Sequence, residues 1–291
     1  MAAGHSLFQR IETSNLEASV DLLSDRQKAQ HASNGILDAV FLPRRISPRV
    51  MIDLHCHYIS AVDDGAQNAA EALALARASV ANGITHAVLT PHVHPGRYEN
   101  TLSSLTPRFA AFRNLLQSAQ VPLVTRLGGE VRLSAESLDL LAENELPFIG
   151  EWEGNKVVLL EFPPGQIPAG AINAVGYLRA RGILPMIAHP ERNKDVMRDW
   201  RKIEPFVKEG CLLQITAASV CGMFGEAIQA TAEQVLAAGW VCVVATDAHN
   251  LEHRPPVLAE ARAMVQQRYG DALATLLTEV NPGRIWGCAG V

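Results

Sequence analysis

Histidine and carboxylate residues recur at the ends of short apolar runs in this sequence. They stand in His55-Cys56-His57 with Asp63-Asp64-Gly65 just beyond, in Thr90-Pro91-His92, and in Gly128-Gly129-Glu130. They recur in Leu160-Glu161-Phe162, Ala188-His189-Pro190-Glu191-Arg192 and Thr246-Asp247-Ala248-His249. Imidazole and carboxylate are the ligands of Zn, Mn and Fe(II), and the absence of thiolates from the pattern argues against a structural zinc site. Residues two apart on a strand point the same way, so His55 and His57 can grip one ion together, as can Asp247 and His249. Any one of these histidines alone reads more simply as a hydrogen-bonded capping or core residue. Glu161 is harder to dismiss, because a carboxylate between Leu160 and Phe162 is costly to bury without a partner. Together they offer more ligands than one ion can use, which predicts two or three ions bridged by a carboxylate. Such sites hydrolyse phosphate esters, clamping their oxygens and drawing hydroxide from a water whose pKa falls to about 7.

Two arginines follow these ligands closely, Arg192 three residues after His189 and Arg254 five after His249. The planar guanidinium fork suits phosphate oxygens, and the competing reading is a salt bridge at the rim of the fold. Arg97 is a weaker third candidate. His94 could line the mouth of the site, His86 reads as structural, and His5, His31 and His253 read as solvated. A cysteine-based phosphatase needs C-x5-R. The residues six past Cys56, Cys211, Cys221 and Cys242 are Val62, Ala217, Ala227 and Ala248, so that nucleophile is missing. The cysteines number five, an odd count with no C-x-x-C, and read as reduced thiols of a cytoplasmic protein.

The elements that must position the ligands alternate. Strands are predicted at Ile52–His55, Thr85–Thr90, Pro122–Leu127, Val157–Phe162, Leu184–Ala188, Cys211–Ile215 and Val241–Thr246. Most are continuous apolar runs, as in parallel strands buried on both faces. Helices are predicted at Ala69–Asn82, Leu102–Ala119, Ala135–Glu143, Ala169–Arg181, Asp195–Glu209 and Glu226–Ala238, several ending at a glycine able to take the left-handed cap. The fold class is therefore α/β, and the repeated units suit a closed or nearly closed parallel barrel with the candidate ligands on its carboxyl-terminal edge. An open doubly wound sheet is the alternative, although the glycine-rich nucleotide loop such sheets carry after the first strand is missing. Residues 1–50 read differently: their only helical pattern, Leu16-Val20-Leu23, is broken by Ser33-Asn34-Gly35 and Pro43-Arg44-Arg45. We expect a poorly ordered amino-terminal extension, neither signal nor transit peptide, ahead of one catalytic domain over residues 51–291.

Composition narrows the classes further. Hydrophobic residues at 48% and charged residues at 19% exclude wholesale disorder. A net charge of −5, with no basic cluster beyond Arg44-Arg45, argues against binding nucleic acid. No apolar run approaches the ~18 residues of an integral membrane segment.

The motif set as a whole resembles the polymerase-and-histidinol-phosphatase (PHP) superfamily. Within it, Val62-Asp63-Asp64-Gly65, Glu161 in place of a more usual histidine, and His249-Asn250-Leu251 with Arg254-Pro255-Pro256 resemble one branch. That branch is the bacterial manganese-dependent tyrosine-protein phosphatases of capsular and exopolysaccharide operons. The resemblance runs from Met51 to about Asn281-Pro282. It implies a distorted seven-stranded (β/α)7 barrel holding three metal ions, manganese first, with iron or zinc as alternatives. One ion would take His55, His57, Glu130 and Asp247, a second Glu130, Glu161 and His189, and a third Asp64, His92 and His249. Arg192 and Arg254 would bind phosphate. The implied substrate is the phosphotyrosine tail of a bacterial tyrosine kinase controlling polysaccharide export. The rival readings are a small-molecule phosphatase acting on a substrate such as histidinol phosphate, and a non-catalytic or proofreading domain.

Overall fold

The computed structural model describes residues 50–287. The expectations for the amino-terminal extension up to residue 49, for His5 and His31, and for Cys288 lie outside the described residues. Within them the strands are β1 (Met51–Cys56), β2 (Ile84–Leu89), β3 (His92–Val93), β4 (Val124–Leu127) and β5 (Glu130–Arg132), followed by β6 (Gly150–Trp152), β7 (Asn155–Glu161), β8 (Ile183–Ala188), β9 (Leu212–Thr216) and β10 (Val243–Ala245). Strands β1, β2 and β4 form one parallel sheet. A second runs β10-β9-β8-β7-β5-β3, also parallel, with β6 antiparallel on β7. The architecture is thus α/β with mostly parallel pairing.

Two of the expected strands are each split in two. Thr90-Pro91 separates β2 from β3, because Pro91 has no N–H for the ladder. Gly128-Gly129 separates β4 from β5, and a Cβ on Gly129 would stand 2.4 Å from Pro147 Cγ. Single backbone bonds carry the alignment across both gaps, Gly128 N–H to Leu89 O at 2.8 Å and Glu130 N–H to Pro91 O at 3.1 Å. On the far side of β1, Asp247 N–H donates to His55 O at 2.7 Å and His57 N–H to Ala248 O at 2.9 Å.

The strands pack around a core in which Leu54, Val88, Leu159, Met186, Leu212 and Val243 meet Trp152 and Trp286. Helices return the chain between strands, and their starts are capped as polar residues dictate. Asn68 accepts the amides of Ala70 and Glu71 ahead of Ala69–Ala81, and Thr101 with Ser104 makes a capping box before Leu102–Ser118. The single helix expected over 195–209 is instead three pieces: Lys194–Arg198, a tight turn Trp200–Ile203, and Glu204–Lys208. Asp199 is extended and caps the turn by accepting from Arg201 N–H, while Pro205 opens the last piece at the position where its missing N–H costs nothing. The chain also forms helices Leu258–Tyr269 and Asn281–Trp286 and the short strand β6, none of which the sequence pattern announces.

Candidate metal centre

The predicted ligands lie together at the carboxyl-terminal edge of the strands. His55 and His57 leave β1, His92 opens β3, Glu130 opens β5, Glu161 ends β7, His189 follows β8, and Asp247 and His249 follow β10. The β1–β2 register shifts between Asp53 and Cys56, and the two β1 imidazoles converge, their Nε2 atoms 3.2 Å apart. His189 and Asp247 hold left-handed backbone, φ 32° and 52°. Strained non-glycine residues of that kind collect at functional sites. The Asp63–Gly65 turn folds tightly over β1: a Cβ on Gly65 would stand 2.1 Å from His57 O.

Three sets of side chains bring ligand atoms within 4.8 Å of one another: His55, His57, Glu130 and Asp247; His92, Glu130 and Glu161; and His57, His92 and His249. Glu130 belongs to two of them. Its Oε2 lies 3.4 Å from His55 Nε2, 3.5 Å from His57 Nε2 and 2.8 Å from His92 Nδ1, and its Oε1 is 2.7 Å from His189 Nε2. Asp247 Oδ1 stands 3.2 and 3.3 Å from the same two β1 imidazoles. Asp64, half exposed, reaches His92 Nε2 at 3.2 Å and His249 Nε2 at 3.6 Å. His92 therefore sits between the Asp64 group and the Glu130–Glu161 group, while His189 meets only Glu130 among the carboxylates.

Whether these residues fit metal ions is decided by their unsatisfied atoms. Glu130 Oε2, Asp247 Oδ1 and His249 Nε2 are buried without a hydrogen bond, although nitrogen and oxygen atoms crowd them within 3.6 Å. Their close neighbours are not aligned to donate. A buried carboxylate oxygen left so costs ~1–3 kcal/mol or more unless a cation fills the space. The donor set fits: nitrogen and oxygen without sulfur, suited to manganese, iron and zinc.

Electrostatics agree. Burial would raise the Glu130 and Asp247 carboxyls, but the imidazoles around Glu130, and Arg254 with the imidazoles around Asp247, hold both well below the ordinary range. Burial and the nearby Glu130 charge push Glu161 up to about 7. Burial lowers His189 and His249 to about 4, with Arg192 and His57 respectively adding to the effect, so both imidazoles keep a free lone pair at neutral pH. Burial would lower His92 too, yet Glu130 and Asp64 overcome it and raise it to about 9. The sign for cation uptake follows. A proton on His92 competes below about pH 9 and one on Glu161 below about pH 7. Apparent manganese affinity should therefore fall about tenfold per pH unit below 9, and more steeply below 7. Calorimetry in two buffers of different ionisation enthalpy should register about one proton released per His92 ligated at pH 8; uptake that does not change with pH would remove His92 from the centre.

Arg192 Nη1 and Arg254 Nη2 both donate to Asp247 Oδ2 in short contacts, and Arg192 also lies 5.2 Å over the Phe224 ring. Arg97 is exposed and lies over Tyr98, whose ring stacks on His92 at 5.4 Å. His94 is half-buried beside Tyr98. His86 pairs with Thr85 Oγ1 at 2.8 Å and meets Trp286 edge-on, away from the cluster. His253 is exposed.

Sequence reasoning missed several neighbours. Asp63 accepts from His57 Nδ1 at 2.8 Å and from the amides of Gly65 and His92. Arg132 pairs with Glu161 at 2.7 Å, and Gln214 with His55. For Gln214 there was a signal, an amide inside the apolar run Leu212-Leu213-Gln214-Ile215. For Arg132 there was none, because its partner is set by strand register.

Fold and site together define a parallel-stranded α/β protein with a histidine–carboxylate metal centre at its carboxyl-terminal edge. The chain belongs to the CpsB/CapC family of capsular polysaccharide synthesis, whose pattern matches residues 51–286. It is 33% identical over 229 residues to tyrosine-protein phosphatase YwqE of Bacillus subtilis, spanning 79% of this chain and 89% of that one. It is 30% identical over 244 residues to tyrosine-protein phosphatase CpsB of Streptococcus pneumoniae, spanning 81% and 98%. A solved structure from work on these two proteins, described as metal-dependent tyrosine phosphatases, superposes with TM-score 0.76 at 32% identity over 83% of this chain and 96% of that one. A phosphotriesterase homology protein of Escherichia coli shares the fold, with TM-score 0.54 at 12% identity over 82% of this chain and 99% of that one. The family match agrees with the branch that the motifs resemble.

Proposed function

We propose that this protein is a metal-dependent protein-tyrosine phosphatase, and that its substrate is the phosphotyrosine tail of a bacterial tyrosine kinase governing capsular or exopolysaccharide synthesis. The observation that carries the reading is the crowded, unsatisfied ligand cluster with two arginines fixed at its edge. His55, His57, Glu130 and Asp247 would hold one ion, Glu130, Glu161 and His189 a second, and Asp64, His92 and His249 a third, with manganese the metal the family resemblance implies. Bound there, divalent ions polarise phosphoryl oxygens and make water acidic enough to supply hydroxide near neutral pH. Arg192 and Arg254 bind the phosphoryl oxygens and oppose their growing charge. Glu130, shared between two ligand sets, fixes their spacing. The leaving tyrosinate is the base of a phenol of pKa ≈ 10, so its departure asks little of a proton donor.

A cleft beside the cluster is lined by Phe162, Pro164, Pro190 and Ile228 together with Glu161, His189 and Arg192. Apolar walls next to a phosphate-binding arginine suit an aryl phosphate. Against them the charged ammonium of histidinol phosphate would lose hydration without a partner, which favours the protein phosphatase over that rival.

Residues 51–291 would form one catalytic domain. We infer that its strands make seven lanes of a distorted closed barrel: β1, β2 with β3, β4 with β5, β7, β8, β9 and β10. The main-chain bonds from Asp247 and Ala248 to β1 support closure. Unpaired cysteines favour the cytoplasm, and no helix among the described residues is long and apolar enough to cross a membrane.

Thiol chemistry has little support here. Burial pushes Cys211 and Cys242 up to about 12 and Cys221 to about 11, and the buried Cys56 is raised as well. Hydrolysis of a phosphotyrosine peptide with manganese should therefore survive iodoacetamide, stop on prolonged chelation, and exceed hydrolysis of histidinol phosphate. Loss to alkylation but not to chelation, or preference for histidinol phosphate, would overturn the assignment.

A further inference from the structure

We infer that Gln214, a residue with no ligand atom in the cluster, is a positioning residue that fixes the tautomer and ring angle of His55 for metal binding. The inference rests on the metal-centre reading and goes beyond it. Gln214 lies on β9, the lane that contributes no candidate ligand, between Ala188 of β8 and Val243 of β10. Its side chain is fully buried, and its Oε1 is 3.0 Å from His55 Nδ1. A carbonyl oxygen can only accept, so Nδ1 must carry the imidazole proton and Nε2 must keep its lone pair. That Nε2 faces Asp247 Oδ1 at 3.2 Å and Glu130 Oε2 at 3.4 Å. The opposite amide orientation would donate to Nδ1 and leave a proton on Nε2, pointing into the ligand cluster.

The other imidazoles show the same device built from other acceptors. His57 Nδ1 meets Asp63 Oδ2 at 2.8 Å, and His249 Nδ1 meets the Asp247 carbonyl at 2.9 Å. Ligating histidines are characteristically held through their second nitrogen. Gln214 Nε2, by contrast, is buried with no hydrogen-bond partner. A glutamine kept for packing among Leu212, Leu213 and Ile215 would leave that cost uncompensated, whereas one kept for its acceptor accounts for both ends of the amide. Neutrality matters as well, since His55 already faces Asp247 and Glu130 and its own amide donates to Asp53.

The test compares Gln214→Leu and Gln214→Glu with the parent in the full chain. Leucine keeps the volume and removes the acceptor. Glutamate, ionised or protonated, keeps an acceptor oxygen toward Nδ1. Manganese titration into metal-stripped protein should show affinity about 10- to 100-fold weaker for Gln214→Leu and within about threefold of the parent for Gln214→Glu. Long-range ¹H–¹⁵N spectra of the metal-stripped parent should show His55 protonated at Nδ1. If the leucine substitution prevents folding, that spectrum and the glutamate variant decide the matter alone. Parent-like affinity in Gln214→Leu, an equal loss in Gln214→Glu, or a His55 proton on Nε2 would overturn the inference. A parent that binds no manganese would instead sink the metal-centre reading beneath it.

Discussion

Glu130→Gln should cost about three decades or more in phosphotyrosine hydrolysis, equivalent to roughly 4 kcal/mol of activation free energy, together with at least one metal ion per chain. The substitution changes neither shape nor volume, so its effect isolates the charge. Glu130 is fully buried, stands at the start of β5, and turns one oxygen toward His55, His57 and His92 and the other toward His189. An amide there has one weak acceptor and presents N–H groups to nitrogen atoms that also need a cation. Both proposed ions that share Glu130 should weaken together. His189→Ala, which removes a ligand from one ion only, should lose less metal and less rate. Elemental analysis beside steady-state kinetics reads both quantities. A second signature lies in the metal-free protein: Glu130 is the foremost of the charges that raise His92 to about 9, so in Glu130→Gln that imidazole should titrate lower, visible by NMR. Full metal content in Glu130→Gln, or a smaller loss than in His189→Ala, would end its role as a bridge.

How far the site could be read from sequence depends on which distances are local. His55 and His57 are two residues apart on one strand, and Asp247 and His249 are two apart beyond another, so their pairing shows in the spacing itself. Glu130, Glu161 and His189 were legible because a parallel α/β fold brings the carboxyl ends of its strands to one edge, whatever the loops between them do. The residues that escaped notice depend on register. Arg132 meets Glu161 because β5 pairs with β7 in that alignment, and Gln214 meets His55 across 159 positions of sequence. The double role of His92, between Asp64 and Glu130, is likewise a matter of ring placement that spacing does not encode. In the fold, the splits at Thr90-Pro91 and Gly128-Gly129 carry visible breakers, yet continuous apolar character on either side read as single strands. The helix Leu258–Tyr269 went unread because its buried positions, Leu258, Ala261, Arg262 and Val265, include an arginine. That guanidinium is buried but bonded to Glu279, Gln266 and Thr275, a compensation invisible before those residues are brought together.

The arginines provide the sharpest separation between holding metal and holding phosphate. Arg192→Ala and Arg254→Ala should each slow hydrolysis by ~2–4 kcal/mol, roughly one and a half to three decades, because a charge-assisted contact to the transferring phosphoryl is lost. Metal content should stay near that of the parent, since guanidinium does not coordinate cations. Both side chains reach the same oxygen, Asp247 Oδ2, while Oδ1 faces the β1 imidazoles. One carboxylate thus carries the arginines on one oxygen and offers the other to the proposed ion. With one arginine removed, the other still anchors Oδ2, so Asp247 should keep its orientation. With both removed, the carboxylate loses its fixed partners, and the double variant should depart from the product of the single effects, as expected for neighbours sharing a partner. Inhibition by inorganic phosphate distinguishes the roles independently of turnover: it should weaken in each single variant while metal remains bound. Lysine at either position should recover only part of the rate, because a point charge cannot reproduce the planar fork. If metal departs in step with the rate in the single variants, or if phosphate inhibition is unchanged, the pair acts by bracing Asp247 rather than by binding the substrate.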